Sequence, residues 1–315
     1  MKKKICFRAD ASATIGYGHF VRTLALADML KESFDCVFYT SEPTPYQIAE
    51  MEKVCPFVAL QEDAKFETFL DLLDGNEIVV LDNYFFTTDY QREIKAKGCK
   101  LVCIDDMHNK HYVADAVINH GKPSLEEFDC EPYTKLYIGD GYKLLRKPFL
   151  SKYEYRQRNN VAIVNLGGAD PYRLTDRIVS LLIQTELPYK IVVILGDKVY
   201  LSEQNRKMVE TRSNLTAEQM AGLFETSAFA ILPASTVSIE AASRGIPRLT
   251  GYQADNQEEG YKKALAKGLF IPLGDLRTIT CERLFVAINQ LKGFIPIIPD
   301  YSKVPINYKK LFKSL

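Results

Sequence analysis

The sequence has no excess of charge of either sign: 40 Lys and Arg stand against 40 Asp and Glu. A nucleic-acid binder carries a basic excess or a basic stripe, and neither is present, so nucleic acid is not an expected partner. No apolar run reaches the length that spans a bilayer. No signal peptide is read before the first strand, because "ICF" is far too short for the apolar region of one. A cytoplasmic protein without membrane insertion is expected. The seven cysteines include no C-x-x-C pair, and Cys99 and Cys103 straddle the apolar stretch "KLVCI". Free, buried thiols in a reducing compartment are expected rather than disulfides or zinc. Histidine is scarce, with four in the chain. His108, His111 and His120 lie in polar, loop-like sequence and read as surface residues whose spacing fits no zinc template. A Walker A motif and a G-x-G-x-x-G motif are both lacking, which argues against NTP hydrolysis and dinucleotide binding. No cofactor and no metal are expected.

The chain is 315 residues long, 47% hydrophobic and 25% charged. That length suits two domains of about 150 residues each, and that composition predicts sizeable cores. Short apolar runs alternate with helical stretches. "KICFRAD", "DCVFYT", "EIVVLDN", "KLVCID" and "ADAVIN" read as strands. "HFVRTLALADMLKES", "FETFLDLLDG" and "TTDYQREIKAKG" between them show helical spacing. This is the βαβ rhythm of a parallel sheet. It breaks between residues 119 and 158, then resumes with "VAIVNLGGAD", "LTDRIVSLLIQ", "YKIVVILGD", a helix near 216–226, "AFAILPAS" and "TVSIEAASRG". Two α/β domains are therefore expected, residues 1–150 and 151–315, with the ligand in a cleft between them. The tail "PDYSKVPINYKKLFKSL" predicts a helix that packs either on the first domain or on its own.

Several stretches could carry chemistry. In "IGYGHFVR", Gly16 and Gly18 permit backbone conformations closed to other residues, and His19 falls in the first turn of a helix. The positive end of the helix dipole disfavours an imidazolium there, so His19 is a candidate neutral general base. Asp10, at the end of the first strand, could orient the ring or hold a substrate hydroxyl; a capping or packing histidine is the other reading. Asp82 and Tyr84 end a buried strand, where either a substrate-facing group or a plain turn belongs. Gly167-Gly168 ends another strand before a helix, which makes either a phosphate site or a tight turn started by Asp170-Pro171. Ser235 and Thr236 open a helix in which Glu240 follows on the same face, placed for a ribose diol or for solvent. Asn256 and Gln257 begin a further helix, as sugar or phosphate contacts or as caps.

Taken together, "FRADASATIGYGHFVR", "LDNY", "IDD" at 104–106, "GYKLLRKPF", "NLGGAD", "PASTVSIEA" and "DNQ" resemble enzymes of GT-B architecture. The match is nearest to the nucleotide-sugar hydrolases of pseudaminic acid biosynthesis, which cleave UDP-2,4-diacetamido-2,4,6-trideoxy-β-L-altropyranose to UDP and free sugar. The resemblance implies an α/β, GT-B-like chain of two Rossmann-like domains. It makes His19 the base, with Asp10 beside it, and puts Gly16, Tyr17, Gly18, Arg22, Asp82 and Tyr84 on the sugar side. Gly167 and Gly168 would face the diphosphate, Ser235, Thr236 and Glu240 would hold phosphate and ribose, and Asn256 and Gln257 would complete the nucleotide side. The chain departs from the family pattern at Asn83, where the family carries His, and at Phe85-Phe86, where it carries small residues. These departures bear on the sugar rather than on the reaction. The implied activity is metal-independent hydrolysis of a UDP-sugar with inversion. A GT-B glycosyltransferase using a UDP-sugar donor, and a UDP-sugar-binding regulatory protein, are the alternatives.

Overall fold

The computed structural model describes residues 2–11, 16–121, 124–168, 170, 172–196 and 199–315, apart from the side chain of Asn256. The chain divides into two compact units, Met1–Leu150 with Tyr301–Leu315, and Ser151–Asp300.

Unit 1 is built from β1 (Lys4–Arg8), α1 (Gly18–Leu30), β2 (Asp35–Ser41), α2 (Pro45–Glu52), β3 (Phe57–Leu60), α3 (Lys65–Asp71), β4 (Ile78–Leu81), α4 (Thr88–Ala96), β5 (Lys100–Ile104), β6 (Ala116–Asn119) and β7 (Lys135–Ile138). Its strands form one parallel sheet in the order β3-β2-β1-β4-β5-β6-β7. The central strands are apolar on both faces, as a sheet covered by helices requires: all of β4 and β6 is buried, and β1 and β5 are buried beyond their first residues. β1 pairs with β2 on one side (Ile5 opposite Cys36) and with β4 on the other (Ile5 opposite Ile78). The strand order reverses there, and the carboxyl ends of strands beside such a switch point are where open α/β sheets hold ligands. α2 starts on a capping box between Thr44 and Gln47, with Pro45 in its first turn.

Unit 2 repeats the plan with β8 (Val161–Val164), α5 (Leu174–Gln184), β9 (Lys190–Leu195), α6 (Glu203–Met208), β10 (Glu210–Ser213), α7 (Ala217–Thr226), β11 (Phe229–Pro233), α8 (Thr236–Ser243), β12 (Arg248–Tyr252), α9 (Asp255–Leu265), β13 (Ile271–Asp275) and α10 (Cys281–Gln290). Its parallel sheet runs β10-β9-β8-β11-β12-β13, with the same reversal between β8 and β11. Ile178, Val179 and Leu182 of α5 and Leu284 and Ile288 of α10 pack on one face of it.

The last helix, α11 (Val304–Lys313), belongs to unit 1. Val304, Tyr308, Leu311 and Phe312 are buried along one side of it. The Phe312 ring meets Phe34, just beyond α1, with centroids 6.2 Å apart. The Tyr308 hydroxyl donates to the Tyr142 carbonyl at 2.6 Å, and the Asn307 amide to Gly141 at 3.0 Å. All seven cysteines are free thiols. Burial pushes the Cys6 and Cys36 thiols up to about 12, so neither is a thiolate at neutral pH.

The burial of Phe312 makes α11 a structural part of unit 1. Phe312→Ala is expected to destabilise that unit by about 3–5 kcal/mol, the range for an emptied aromatic core position. Hydrogen exchange checks this: the amides of β1 and α1 should lose protection, while those of β8 and β11 keep it.

Candidate active site

Polar side chains collect at the carboxyl end of the unit 1 sheet. Asp10 follows β1, Asp82 follows β4, Asp105 and Asp106 follow β5, and Asn119 closes β6 with His120 next. α1 faces them with His19, Arg22 and Thr23. It begins without a side-chain cap or an acidic residue in its first turn, and Gly16 before it turns in the left-handed region at φ +77°.

The Asp82 carboxylate is the centre of this cluster and is fully buried. Oδ1 accepts from Arg22 Nη2 at 2.6 Å and lies 2.7 Å from His19 Nδ1. Oδ2 accepts from Arg22 Nε at 2.6 Å and from the Thr23 hydroxyl at 2.7 Å. Burial would raise the Asp82 pKa, but the Arg22 guanidinium prevails and holds it well below the usual carboxylate range. An ionised carboxylate only accepts, so His19 Nδ1 carries the proton on this bond, and in the neutral ring that puts the lone pair on Nε2; Arg22 Nη2 also lies 3.1 Å from Nδ1. Among the described residues no hydrogen bond to Nε2 is found. The Tyr84 ring stands edge-on to the imidazole, with centroids 4.6 Å apart.

Arg22 is buried and turned inward; its third nitrogen, Nη1, donates to Asp106 Oδ2 at 2.7 Å. It therefore clamps two carboxylates together, where the sequence reading placed it on the substrate. Asp10 also differs from expectation. Its oxygens take a bidentate contact from Arg8 and the Ser41 N–H at 2.8 Å, with Lys65 Nζ at 3.3 Å. Burial would raise its pKa and Arg8 outweighs this, so Asp10 too stays ionised. Asn83 accepts from the Asp10 N–H at 2.7 Å and donates to its carbonyl at 3.3 Å. Asp10 is thus a latch between the β1, β2 and β4 ends, and Asp82 is the group that orients His19.

His120 is half-buried rather than exposed. Its Nδ1 is buried without a hydrogen-bond partner among the described residues. Burial, with Lys143 and Arg22 nearby, pushes its pKa down to about 3, so the ring is neutral. His108 packs on Phe128 and holds Asp105 at 2.8 Å. His111 lies between Asp129 and Glu131. Among the described residues no group of three His, Cys, Asp or Glu is arranged to hold a metal ion. No described helix is long and apolar enough to cross a membrane.

In unit 2 the loop after β8 turns at Gly167, at φ +99°, whose N–H donates to Asn165 Oδ1 at 3.0 Å. The helix after it is closed by its own acid: Asp170 accepts from the Leu174 and Thr175 N–H groups at 2.7 Å each. Those amides are not offered to a phosphate. α8 starts differently, because Ser235 at its N-cap makes no side-chain cap. Thr236 lies in its first turn and Glu240 is buried one turn on. Gln257 accepts from the Gln253 N–H at 3.1 Å, and Gln253 Nε2 donates to the Leu166 carbonyl at 3.1 Å, joining the loops after β12 and β8. The side chain of Asn256 lies outside the described residues. Gln253 and Asp106 were not singled out in the sequence. Gln253 immediately follows β12, and Asp106 is the last residue of the quoted "IDD" after β5, so strand ends were the available signal.

No protein-family model matches the chain. It is 29% identical to the UDP-2,4-diacetamido-2,4,6-trideoxy-beta-L-altropyranose hydrolase of Campylobacter jejuni, over 58% of this chain and 67% of that protein. It is 24% identical to an uncharacterised protein of Methanocaldococcus jannaschii, over 98% of this chain and 68% of that one. It is 23% identical to the spore coat polysaccharide biosynthesis protein SpsG of Bacillus subtilis, over 92% of this chain and 89% of that protein. Among solved structures, UGT89C1 of Arabidopsis thaliana complexed with UDP aligns at a TM-score of 0.66 and 10% identity, covering 99% of this chain and 95% of that chain. MurG of Acinetobacter baumannii aligns at 0.60 and 12% identity, covering 99% and 100%. The chain thus resembles the Campylobacter hydrolase, and its fold is GT-B, with a parallel α/β sheet in each of two Rossmann-like halves.

Proposed function

We propose that this chain is a nucleotide-sugar enzyme of polysaccharide biosynthesis that hydrolyses a UDP-linked diacetamido-trideoxy sugar, as in nonulosonic acid synthesis. The observation that carries the reading is the buried pair of His19 and Asp82 at 2.7 Å. With Nδ1 engaged by Asp82, Nε2 is the ring nitrogen left to meet a water at the strand ends of a Rossmann-like sheet. Likeness to the Campylobacter hydrolase supports the substrate class. His19 Nε2 takes a proton from water as the water oxygen bonds to the anomeric carbon. The bond from that carbon to the diphosphate oxygen breaks, and its electron pair leaves with UDP. Attack opposite the leaving group inverts the anomeric centre. Asp82 stabilises the imidazolium that forms, and the Tyr84 ring beside the imidazole would border the sugar.

The nucleotide role is assigned to unit 2. The uncapped start of α8, with Ser235 and Thr236, offers backbone N–H groups to a diphosphate. Gly167, Gly168, Glu240, Asn256 and Gln257 are the other nucleotide-side residues in this assignment. UDP is a stable leaving group, so one base serves without a paired acid. A transferase of the same fold would direct the same base at an acceptor hydroxyl.

His19→Asn keeps approximate shape but cannot accept the proton. Turnover should fall by about 100-fold or more with substrate affinity nearly unchanged. In oxygen-18 water, with no acceptor added, the label should enter the free sugar and not UDP. Label in UDP would mean attack at phosphorus and would overturn the mechanism; no turnover until an acceptor sugar or lipid is supplied would identify a transferase.

Helix N–H groups can take the diphosphate charge that a metal takes in other enzymes. Turnover measured in EDTA should therefore match turnover in buffer. Loss in EDTA that magnesium or manganese restores would show a metal-bridged donor instead.

A further inference from the structure

We infer that Asp106 is a positioning residue that sets the charge balance of the His19 base through Arg22, an inference that rests on the reading of His19 as that base. Arg22 is shared: Nε and Nη2 hold Asp82, and Nη1 holds Asp106 at 2.7 Å. With Asp82 alone, the guanidinium would form a neutral pair. Protonation of His19 would then leave an uncompensated positive charge in a buried site. With Asp106 included, the group of Arg22, Asp82 and Asp106 carries one net negative charge while His19 is neutral. It becomes neutral when His19 takes a proton. Arg22 is buried while the Asp106 side chain is 31% exposed, so solvent screens part of its charge; what remains favours the protonated imidazole formed during the reaction.

A second observation separates this role from plain structural bonding. Asp106 Oδ1 is buried and has no hydrogen-bond partner among the described residues. A buried carboxylate oxygen left unsatisfied costs stability, so one Arg22 contact and its charge are what Asp106 contributes here. Its own ionisation is secured by Arg22, which outweighs the effect of burial.

Among the described residues, the other groups around the pair are these. After β5, Asp105 is turned away to the Met107 and His108 N–H groups and to His108 Nδ1 at 2.8 Å. On α1 the charged neighbour of His19 is Arg22 itself. After β4 stand Asp82 and the phenol of Tyr84. After β6 stands His120, neutral as described. Lys143, whose amine donates to the His120 carbonyl, lies 3.5 Å from Asp140 and is balanced by it. From α11 the buried Tyr308 phenol stays protonated near Arg22, with a pKa raised by burial.

The test is Asp106→Asn, which keeps shape and removes the charge, with Asp106→Glu as the variant that restores it. In Asp106→Asn, kcat for the UDP-sugar turned over by the wild type should fall about tenfold with KM within about twofold. The acid limb of the kcat profile should move to lower pH by about one unit, because an imidazolium without Asp106 loses its proton more readily. Asp106→Glu should move the limb back towards the wild-type position. An unmoved limb in a folded Asp106→Asn protein overturns the inference. A second readout needs no turnover: in protein carrying isotope-labelled histidine, the NMR titration midpoint of His19 should be lower in Asp106→Asn than in wild type. A moved midpoint without hydrolysis by any UDP-sugar would sink the hydrolase reading and leave the charge coupling standing. An unmoved midpoint would sink the coupling whatever the activity.

Discussion

One buried anion organises unit 1. A carboxylate with no solvent access is tolerated only with its oxygens satisfied and its charge matched. Asp82 meets that condition through Arg22, Thr23 and His19. All three come from the first turns of α1, so the condition locks that helix to the end of β4. Removing one partner of such a buried pair costs about 3–5 kcal/mol, because the other charge is left unmatched. The same condition chooses the histidine tautomer. Since Asp82 can only accept, the ring's proton is drawn to Nδ1 and the basic lone pair to Nε2. Fold stability and the protonation pattern of the candidate base therefore have one source.

Two aspartates at neighbouring strand ends do different work, and the difference lies in their cations. Asp10 is paired with Arg8, two residues back at the end of β1, and with Lys65 and the Ser41 amide. These partners tie β1 to its neighbours and fill both oxygens. Arg8 lies over the Phe86 ring at 5.5 Å, which gives the apolar Phe85-Phe86 segment a packing role beside the site. Asn83 completes the latch by satisfying both backbone polar groups of Asp10. A histidine at that position could not match the donor and the acceptor of one residue in the same way.

Much of the fold was legible because parallel strands buried on both faces read as short apolar runs. "KICFR", "IVVL", "KLVCI", "AVIN" and "FAILP" all became strands. The strands with no clear signal lie towards sheet edges or are interrupted: "FVAL" and "KLYI" are only partly buried, "ETRS" is polar, "RLTGY" carries an arginine and a glycine, and the edge strand "IPLGD" carries a proline and a glycine. Burial on one face only, or of few side chains, leaves a weak periodic signal. At the site, His19 was legible from its glycine turn and helix start, and Asp82 from the end of a buried run. Their contact was not, because they lie 63 residues apart and only the strand order brings them together. Asp10 drew the ring-orienting role because it is nearer in sequence. Arg8, which claims it, is fully buried in the middle of an apolar pattern, where sequence alone does not show what neutralises it. His120 does lie in the loop after β6, and its partial burial was not legible because it comes from residues distant in the chain, Arg22 and Lys143 among them.

The two units share a topology and use its helix starts in opposite ways. Where a helix follows a strand at the switch point, its first N–H groups and its dipole need a partner. In unit 2, α5 meets that need internally with Asp170, while among the described residues the Ser235 side chain makes no such cap for α8. In unit 1, α1 has no acid or cap in its first turn and supplies side chains instead, sending His19 and Arg22 towards Asp82. A start that presents backbone N–H groups suits a group of fixed negative charge, which has only to be held. A start that presents an imidazole against a buried carboxylate suits a proton that has to move. On the function proposed above, holding and reacting are divided by what each sequence puts in the first turn of a helix, on two sheets wound the same way.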